Sequence, residues 1–151
     1  MIVGTGIDIA EVDRIAASLE RFGRRFTERV FTDEEIRYCE SKANKAERYA
    51  ARFAAKEAGM KAIGTGWSRG VRWRDIEVQR QPGARPTVVF HGKAGEFFAK
   101  LGAERAHLSL THTKGMAMAV VVLESSSQSP VVSEGERPKQ YGATWLRGRS
   151  R

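Results

Sequence analysis

The chain has 151 residues, 41% of them hydrophobic, which suits one globular domain of ordinary size with a real core. No apolar run is long enough to cross a bilayer, and the single cysteine, Cys39, excludes a disulfide framework. The formal net charge of +8 points to an acidic partner: nucleic acid, anionic lipid, a phosphorylated cofactor or an acidic protein.

The basic excess is not confined to one end. Residues 125–151 hold five Lys/Arg against two Asp/Glu, and residues 1–124 hold the other twenty-one against sixteen. The N-terminus has no basic leader region and meets Asp8 early, so it reads as structure and not as a secretory signal. With the lone cysteine, the expected compartment is a reducing cytoplasm. Cys39 sits in IRYCESK with no obvious base beside it and reads as a structural or surface thiol.

In chain order, IVGTGIDI (2–9) alternates as a strand. Val3, Thr5, Ile7 and Ile9 point one way. Ile2, Gly4, Gly6 and Asp8 point the other, where two glycines are expected to leave open space beside one carboxylate. EVDRIAASLERF (11–22) is a helix with an apolar stripe of Val12, Ile15, Ala16, Leu19 and Phe22. Arg14, Ser18, Arg21 and Arg25 line another face, and Gly23 interrupts before RRFTERVF. Thr32 and Glu35 make a capping box that opens a further helix. Residues 44–63 form a long helix stopped by Gly64.

The second half is mixed. RDIEVQR and RPTVVFH read as strands about a Pro82-Gly83 turn. GKAGEFFAKLG is a short helix with Ala94, Phe97, Phe98 and Leu101 inward. AHLSLTHT and MAMAVVVLE are strands of a hairpin across Lys114-Gly115. After Glu124 the chain turns rich in Ser, Pro, Gly and Arg without a period. Residues 1–124 are therefore expected to be the domain and 125–151 a disordered tail.

The long helix raises the functional question. At about 100° per residue, Tyr49, Met60, Phe53 and Ala46 cluster on one side and Ala54, Ala58, Ala51 and Ala62 on a second. Arg48, Arg52 and Lys56 share the remaining, charged side, while Glu57 and Lys61 interrupt the apolar arc. A Glu57–Lys61 pair at i, i+4 would contribute only about 0.2–0.5 kcal/mol, little against the cost of desolvating both groups. A metal ion or phosphate compensates better. Asp8 also lies on a glycine and apolar surface, and two carboxylates suit Mg²⁺, which keeps several waters and takes substrate phosphates as further ligands. Gly64-Thr65-Gly66 is read either as a plain helix cap or as a loop close enough to contact phosphate. In HLSLTHT, Ser109 and Thr111 share one strand face and Leu108, Leu110 and His112 the other. From spacing alone His112 is a general base, a phosphate ligand or a buried structural histidine.

GIDIAEVDRI, RFAAKEAGMKAIGTG and LSLTHTKGMAMAVVVLE together resemble the three signature blocks of the holo-[acyl-carrier-protein] synthases, the small single-repeat members of the 4′-phosphopantetheinyl transferase superfamily. The resemblance covers residues 1–124 in family order. It implies an α+β fold, mainly an antiparallel sheet packed against a long helix. It also implies transfer of 4′-phosphopantetheine from coenzyme A to a serine of apo-acyl carrier protein, in fatty acid biosynthesis, with adenosine 3′,5′-bisphosphate released. By the same resemblance Asp8 and Glu57 are the Mg²⁺ ligands, and Glu57, Lys61 and His112 are the catalytic candidates. Arg52, Lys61, Gly64, Thr65, Gly66, Thr111 and His112 would contact coenzyme A. Arg14, Arg21, Arg25, Phe26 and Arg29 would dock the acidic carrier protein. A homotrimer with sites at subunit interfaces is implied too, with no membrane or nucleic acid involved. The rival reading, from charge, is a small basic nucleic-acid-binding module. It lacks a binding motif, and its aromatics sit at core spacing.

Overall fold

The structure, a computed structural model, describes residues 1–126. Its frame is a three-stranded antiparallel sheet in the order β1 (Ile2–Glu11), β5 (Met116–Glu124), β4 (Arg105–His112). Asp8 stands opposite Ala119, and His112 opposite Ala117. The β4–β5 hairpin turns across Lys114-Gly115 as its sequence predicts. A second, two-stranded sheet pairs β2 (Ile76–Gln79) with β3 (Thr87–Phe90), preceded by a short 3-10 turn at Trp73–Asp75. The helices are α1 (Val12–Phe22), α2 (Arg24–Val30), α3 (Asp33–Glu40), α4 (Lys45–Ala62) and α5 (Gly92–Lys100). This is the expected α+β architecture.

α4 lies across the inner face of the large sheet and is buried on nearly every side: Tyr49, Ala54, Ala58 and Met60 are all core. A helix enclosed in this way carries no solvent face. The apposition to β1 is so close that a Cβ at Gly6 would stand 1.9 Å from the Ala58 carbonyl oxygen, and one at Gly4 would stand 2.3 Å from that of Ala62. The glycines of β1 therefore do not leave open space beside Asp8, as alternation suggested. They admit the backbone of α4.

The side of α4 that the helical wheel gives as charged is interior: Arg52 is buried and Lys56 wholly so. Lys56 Nζ pairs with Glu35 Oε2 at 2.7 Å and donates to the carbonyls of Trp73 and Ile76. Glu35 also accepts from the Thr32 amide (2.8 Å), closing the expected capping box, and from the Val78 amide (2.7 Å). All three ammonium protons and both carboxylate oxygens are thus engaged, the condition under which a buried ion pair is tolerated. On α1, Val12 and Ile15 are buried, but Phe22 at the end of the expected stripe is 48% exposed, because Gly23, at φ 49°, turns the chain into α2.

Leu101, expected inward, is likewise exposed at the end of α5. Cys39 is structural: it is fully buried, and desolvation pushes its thiol up to about 12. Beyond Glu124 the chain is still held, since the Ser125 amide donates to the Met1 carbonyl at 2.8 Å. Most of the expected tail, residues 127–151, lies outside the described residues.

Candidate active site

β1 and α4 bring Asp8 and Glu57 together. Because β1 runs against α4 with glycine at positions 4 and 6, the next side chain on that face, Asp8, enters a seam beside the third turn of the helix. Its carboxylate is largely buried, and it accepts from Lys61 Nζ at 2.7 Å; the same amine also donates to the Ile7 carbonyl at 2.9 Å. Lys61 is thus paired to Asp8 and not to Glu57. The Glu57 carboxyl is raised from an ordinary 4.5 to about 7. Burial is the largest cause. A hydrogen bond to Asp8 and the Asp8 charge add to it, while Lys61 and Arg14 pull the other way. Two carboxyls facing each other in a seam cannot both ionise freely without a cation. The cleft in front of them, about 500 Å³, is walled by Ile9, Ile15, Phe26, Phe53, Trp67 and Met116, with Arg14 at its rim.

His112 and Arg52 are not in this cleft. His112 ends β4 on the inner face, where Arg48 Nη1 lies 3.1 Å from its Nε2 and Glu47 Oε2 3.3 Å from its Nδ1. A guanidinium can only donate, so Nε2 accepts and the ring proton sits on Nδ1, towards Glu47. Arg52 stacks its guanidinium 3.9 Å from the Tyr38 ring centroid, and its buried Nε has no hydrogen-bond partner among the described residues. These groups, with Arg80, line a separate pocket of about 190 Å³. Arg48 and Glu57 are nine residues apart, about 180° around α4, so one helix presents its two functional sets on opposite faces. Sequence reasoning missed Arg48, Tyr38 and Arg80 here. The proximity of Arg48 to the histidine strand is a tertiary fact with no sequence signal, whereas its four-residue spacing from Arg52 was available.

The remaining site residues divide. The amides of Gly64, Thr65 and Gly66 donate to the carbonyls of Lys61, Met60 and Met60, so the segment caps α4. Gly64 and Gly66, at φ 73° and 54°, hold the left-handed backbone that this cap needs. Thr111 projects from the outer sheet face, opposite to His112, and stands across from Met118. Arg14, Arg21, Arg25 and Arg29 are all exposed on α1 and α2, while Phe26 is half-buried and packs edge-on to Phe31 and beside Phe53.

Against known proteins, residues 4–121 match the model of the 4′-phosphopantetheinyl transferase superfamily. The holo-[acyl-carrier-protein] synthase of Koribacter versatilis is 64% identical over 82% of this chain and 99% of its own length. That of Solibacter usitatus is 59% identical over 83% and 100%. Among solved structures, the Neisseria meningitidis synthase superposes with a TM-score of 0.74 at 34% identity, covering 83% of this chain and all of that one. The Helicobacter pylori synthase, in complex with coenzyme A, gives 0.69 at 32% identity over 80% and 99%. The chain belongs to the 4′-phosphopantetheinyl transferase superfamily, on its holo-acyl-carrier-protein synthase branch. Among the described residues, no helix is long and apolar enough to cross a membrane.

Proposed function

We propose that the chain transfers 4′-phosphopantetheine from coenzyme A to a serine of apo-acyl carrier protein, in the cytoplasm, giving holo-carrier and adenosine 3′,5′-bisphosphate. The observation that carries this is the convergence of Asp8 and Glu57 in one cleft beside Lys61. Their chemistry fits Mg²⁺: a mutually repelling carboxylate pair with an apolar surround supplies two hard oxygen ligands, and water and diphosphate complete the set. Asp8 and Glu57 would hold the ion, and the chemistry it would supply there is neutralisation of diphosphate charge.

Lys61 then has work beyond its bridge to Asp8. Its exposed amine is free to swing towards the phosphate oxygen that gains charge on the leaving group. Glu57 is placed to accept the serine proton by its position in the cleft beside Asp8, not by its titration in the metal-free protein. His112 is the weaker candidate for the base, because its Nε2 lone pair is already taken by Arg48. Arg52 and His112, with Arg48 and Arg80, instead suit the phosphates of coenzyme A: they make a cationic pocket with one buried donor unsatisfied.

That pocket and the carboxylate cleft open on opposite sides of α4, so a complete site needs the cationic pocket of a neighbouring copy. The outer sheet face offers a surface for it: Ile7, Ile9, Met116 and Met118 are all exposed there. We read the assembly as a homotrimer with sites between subunits. Arg14, Arg21, Arg25 and Arg29 steer the acidic carrier to the rim of the cleft, with Phe26 as apolar support. No specific observation favours a nucleic-acid-binding role.

Incubation with apo-carrier, coenzyme A and Mg²⁺, followed by mass spectrometry, is expected to show one phosphopantetheine adduct per carrier. Asp8→Ala abolishes it while the fold is kept. No adduct across several carriers refutes the transferase reading, and full activity of Asp8→Ala removes that carboxylate from the site.

A further inference from the structure

Asn44 stands at the N-cap position of α4, yet its side chain caps no amide of that helix. An asparagine there ordinarily contributes about 1 kcal/mol by capping. Instead its Nδ2 donates to Glu47 Oε2 at 3.0 Å, and its Oδ1 accepts from Arg48 Nε at 3.2 Å. Those two side chains are the ones that hold His112, with Arg48 Nη1 3.1 Å from Nε2 and Glu47 Oε2 3.3 Å from Nδ1. The four groups close a circuit. Its sense is fixed, because a guanidinium only donates and an ionised carboxylate only accepts.

The circuit borders the cationic pocket. Arg48 and His112 line it with Tyr38, Arg52 and Arg80, whereas Glu47 is outside that lining. Nε2 therefore faces the pocket and Nδ1 faces away. The charged and titratable groups about the imidazole are Glu47, Arg48 and Arg52 of α4, Tyr38 of α3 and Arg80 just beyond β2. Glu47 is the acid among them, in the first turn of α4, where a helix stabilises negative charge.

A phosphate dianion entering the pocket upsets this balance. It offers Arg48 a charge-assisted bond about twice as strong as one to a neutral acceptor, so the guanidinium turns to the anion. Nε2 then meets the dianion with a bare lone pair, two acceptors with no proton between them. One proton from solvent resolves the conflict. His112 becomes an imidazolium that donates to the phosphate through Nε2 and to Glu47 through Nδ1.

We propose that Glu47, braced by Asn44, is a positioning residue for phosphate capture: it holds His112 with Nε2 towards the pocket and supplies the counter-charge with which that ring takes up a proton as the phosphate displaces it from Arg48. This rests on the transferase reading above, in which the phosphate belongs to coenzyme A. By linkage, a ligand whose binding takes up a proton binds more weakly as the pH rises. The second ionisation of a phosphate monoester, near about 6, works in the opposite direction, because the dianion is the better ligand for cations.

Isothermal titration of adenosine 3′,5′-bisphosphate into the full-length protein with Mg²⁺, at about pH 7 in two buffers of different ionisation enthalpy, counts the protons. Wild type is expected to take up about one proton per bisphosphate, with a Kd that rises by up to about tenfold per pH unit on the alkaline side. Glu47→Gln, which keeps the shape and removes the charge, is expected to take up none, to bind about tenfold more weakly and to lose the pH slope. In transfer assays it raises the KM for coenzyme A by a similar factor and leaves kcat and the KM for carrier in place. Melting curves check that it folds; if it does not, His112→Gln is expected to abolish the uptake in the same way. Proton release or no uptake in wild type, or uptake retained by Glu47→Gln, overturns the proposal. So does an uptake that disappears in Glu57→Gln, which would give the proton to that carboxyl, since it titrates at about 7. Failure of wild type to transfer phosphopantetheine from coenzyme A refutes the transferase reading instead, so the two failures are distinguishable.

Discussion

Glu57→Gln should remove activity and stabilise the protein, and the size of the gain follows from the site. Desolvation and the facing Asp8 lift the Glu57 carboxyl from 4.5 to about 7. A folded pKa above the unfolded one means that stability is fully present below about 4.5 and is lost as the pH rises through about 7. At about 1.36 kcal/mol per unit the ceiling of that loss is roughly 3.4 kcal/mol. The carboxyl is only half-buried, so solvent screening reduces the figure to roughly 1–2 kcal/mol. Glutamine keeps the shape and cannot ionise. In EDTA, wild type and variant should therefore melt together near pH 4.5. By pH 8 the variant should lead by roughly 3–8 °C. Mg²⁺ should then narrow the gap by stabilising wild type more than the variant. Thermal melts at four pH values with EDTA and with Mg²⁺ read this directly. A variant no more stable than wild type at pH 8 in EDTA, or a gap that does not depend on pH, would refute the account of two carboxyls strained against each other.

Other positions are equally exposed to test. Gly6→Ala should yield little folded protein, at a cost above about 3 kcal/mol, because the added methyl meets the Ala58 carbonyl oxygen; a normal urea midpoint would show that β1 and α4 can separate. Lys56→Met should cost about 3–5 kcal/mol in urea unfolding by leaving Glu35 buried without its cation, and a loss under about 1 kcal/mol would mean that water reaches the pair. Ile9→Glu, on the exposed apolar sheet face, should lower the mass seen by light scattering to that of one chain and abolish transfer. Unchanged mass with full activity would remove this face from the interface.

Much of the architecture was readable in the sequence because it rests on local rules. The period of two in β1 and β5, the Thr32/Glu35 box, the Gly64 stop and the Lys114-Gly115 hairpin each depend on neighbours a few residues apart, and each stands in the structure. The candidate site was readable as residues but not as an arrangement. Asp8, Glu57 and Lys61 were singled out because charge interrupts apolar surroundings and an i, i+4 pair was too weak to account for it, but that Lys61 bonds Asp8 is visible only in the fold. Lys56 and Arg52 fell on the charged side of the helical wheel, and a wheel has no means of showing that this side is enclosed by α3 and β2.

Sequence alone therefore determined the kinds of element, their order and the chemistry on offer: two carboxylates, an amine, a histidine and an arginine-rich first helix. Tertiary structure decided which of them meet. The glycines at 4 and 6 let β1 approach α4 until Asp8 faces Glu57, while about 140–180° of helical rotation sends Arg52 and Arg48 to the far side with His112. The reason is physical: a charge becomes functional through what surrounds it, and burial, facing dipoles and paired ions are set by contacts between segments some fifty residues apart, here Asp8 and Lys61.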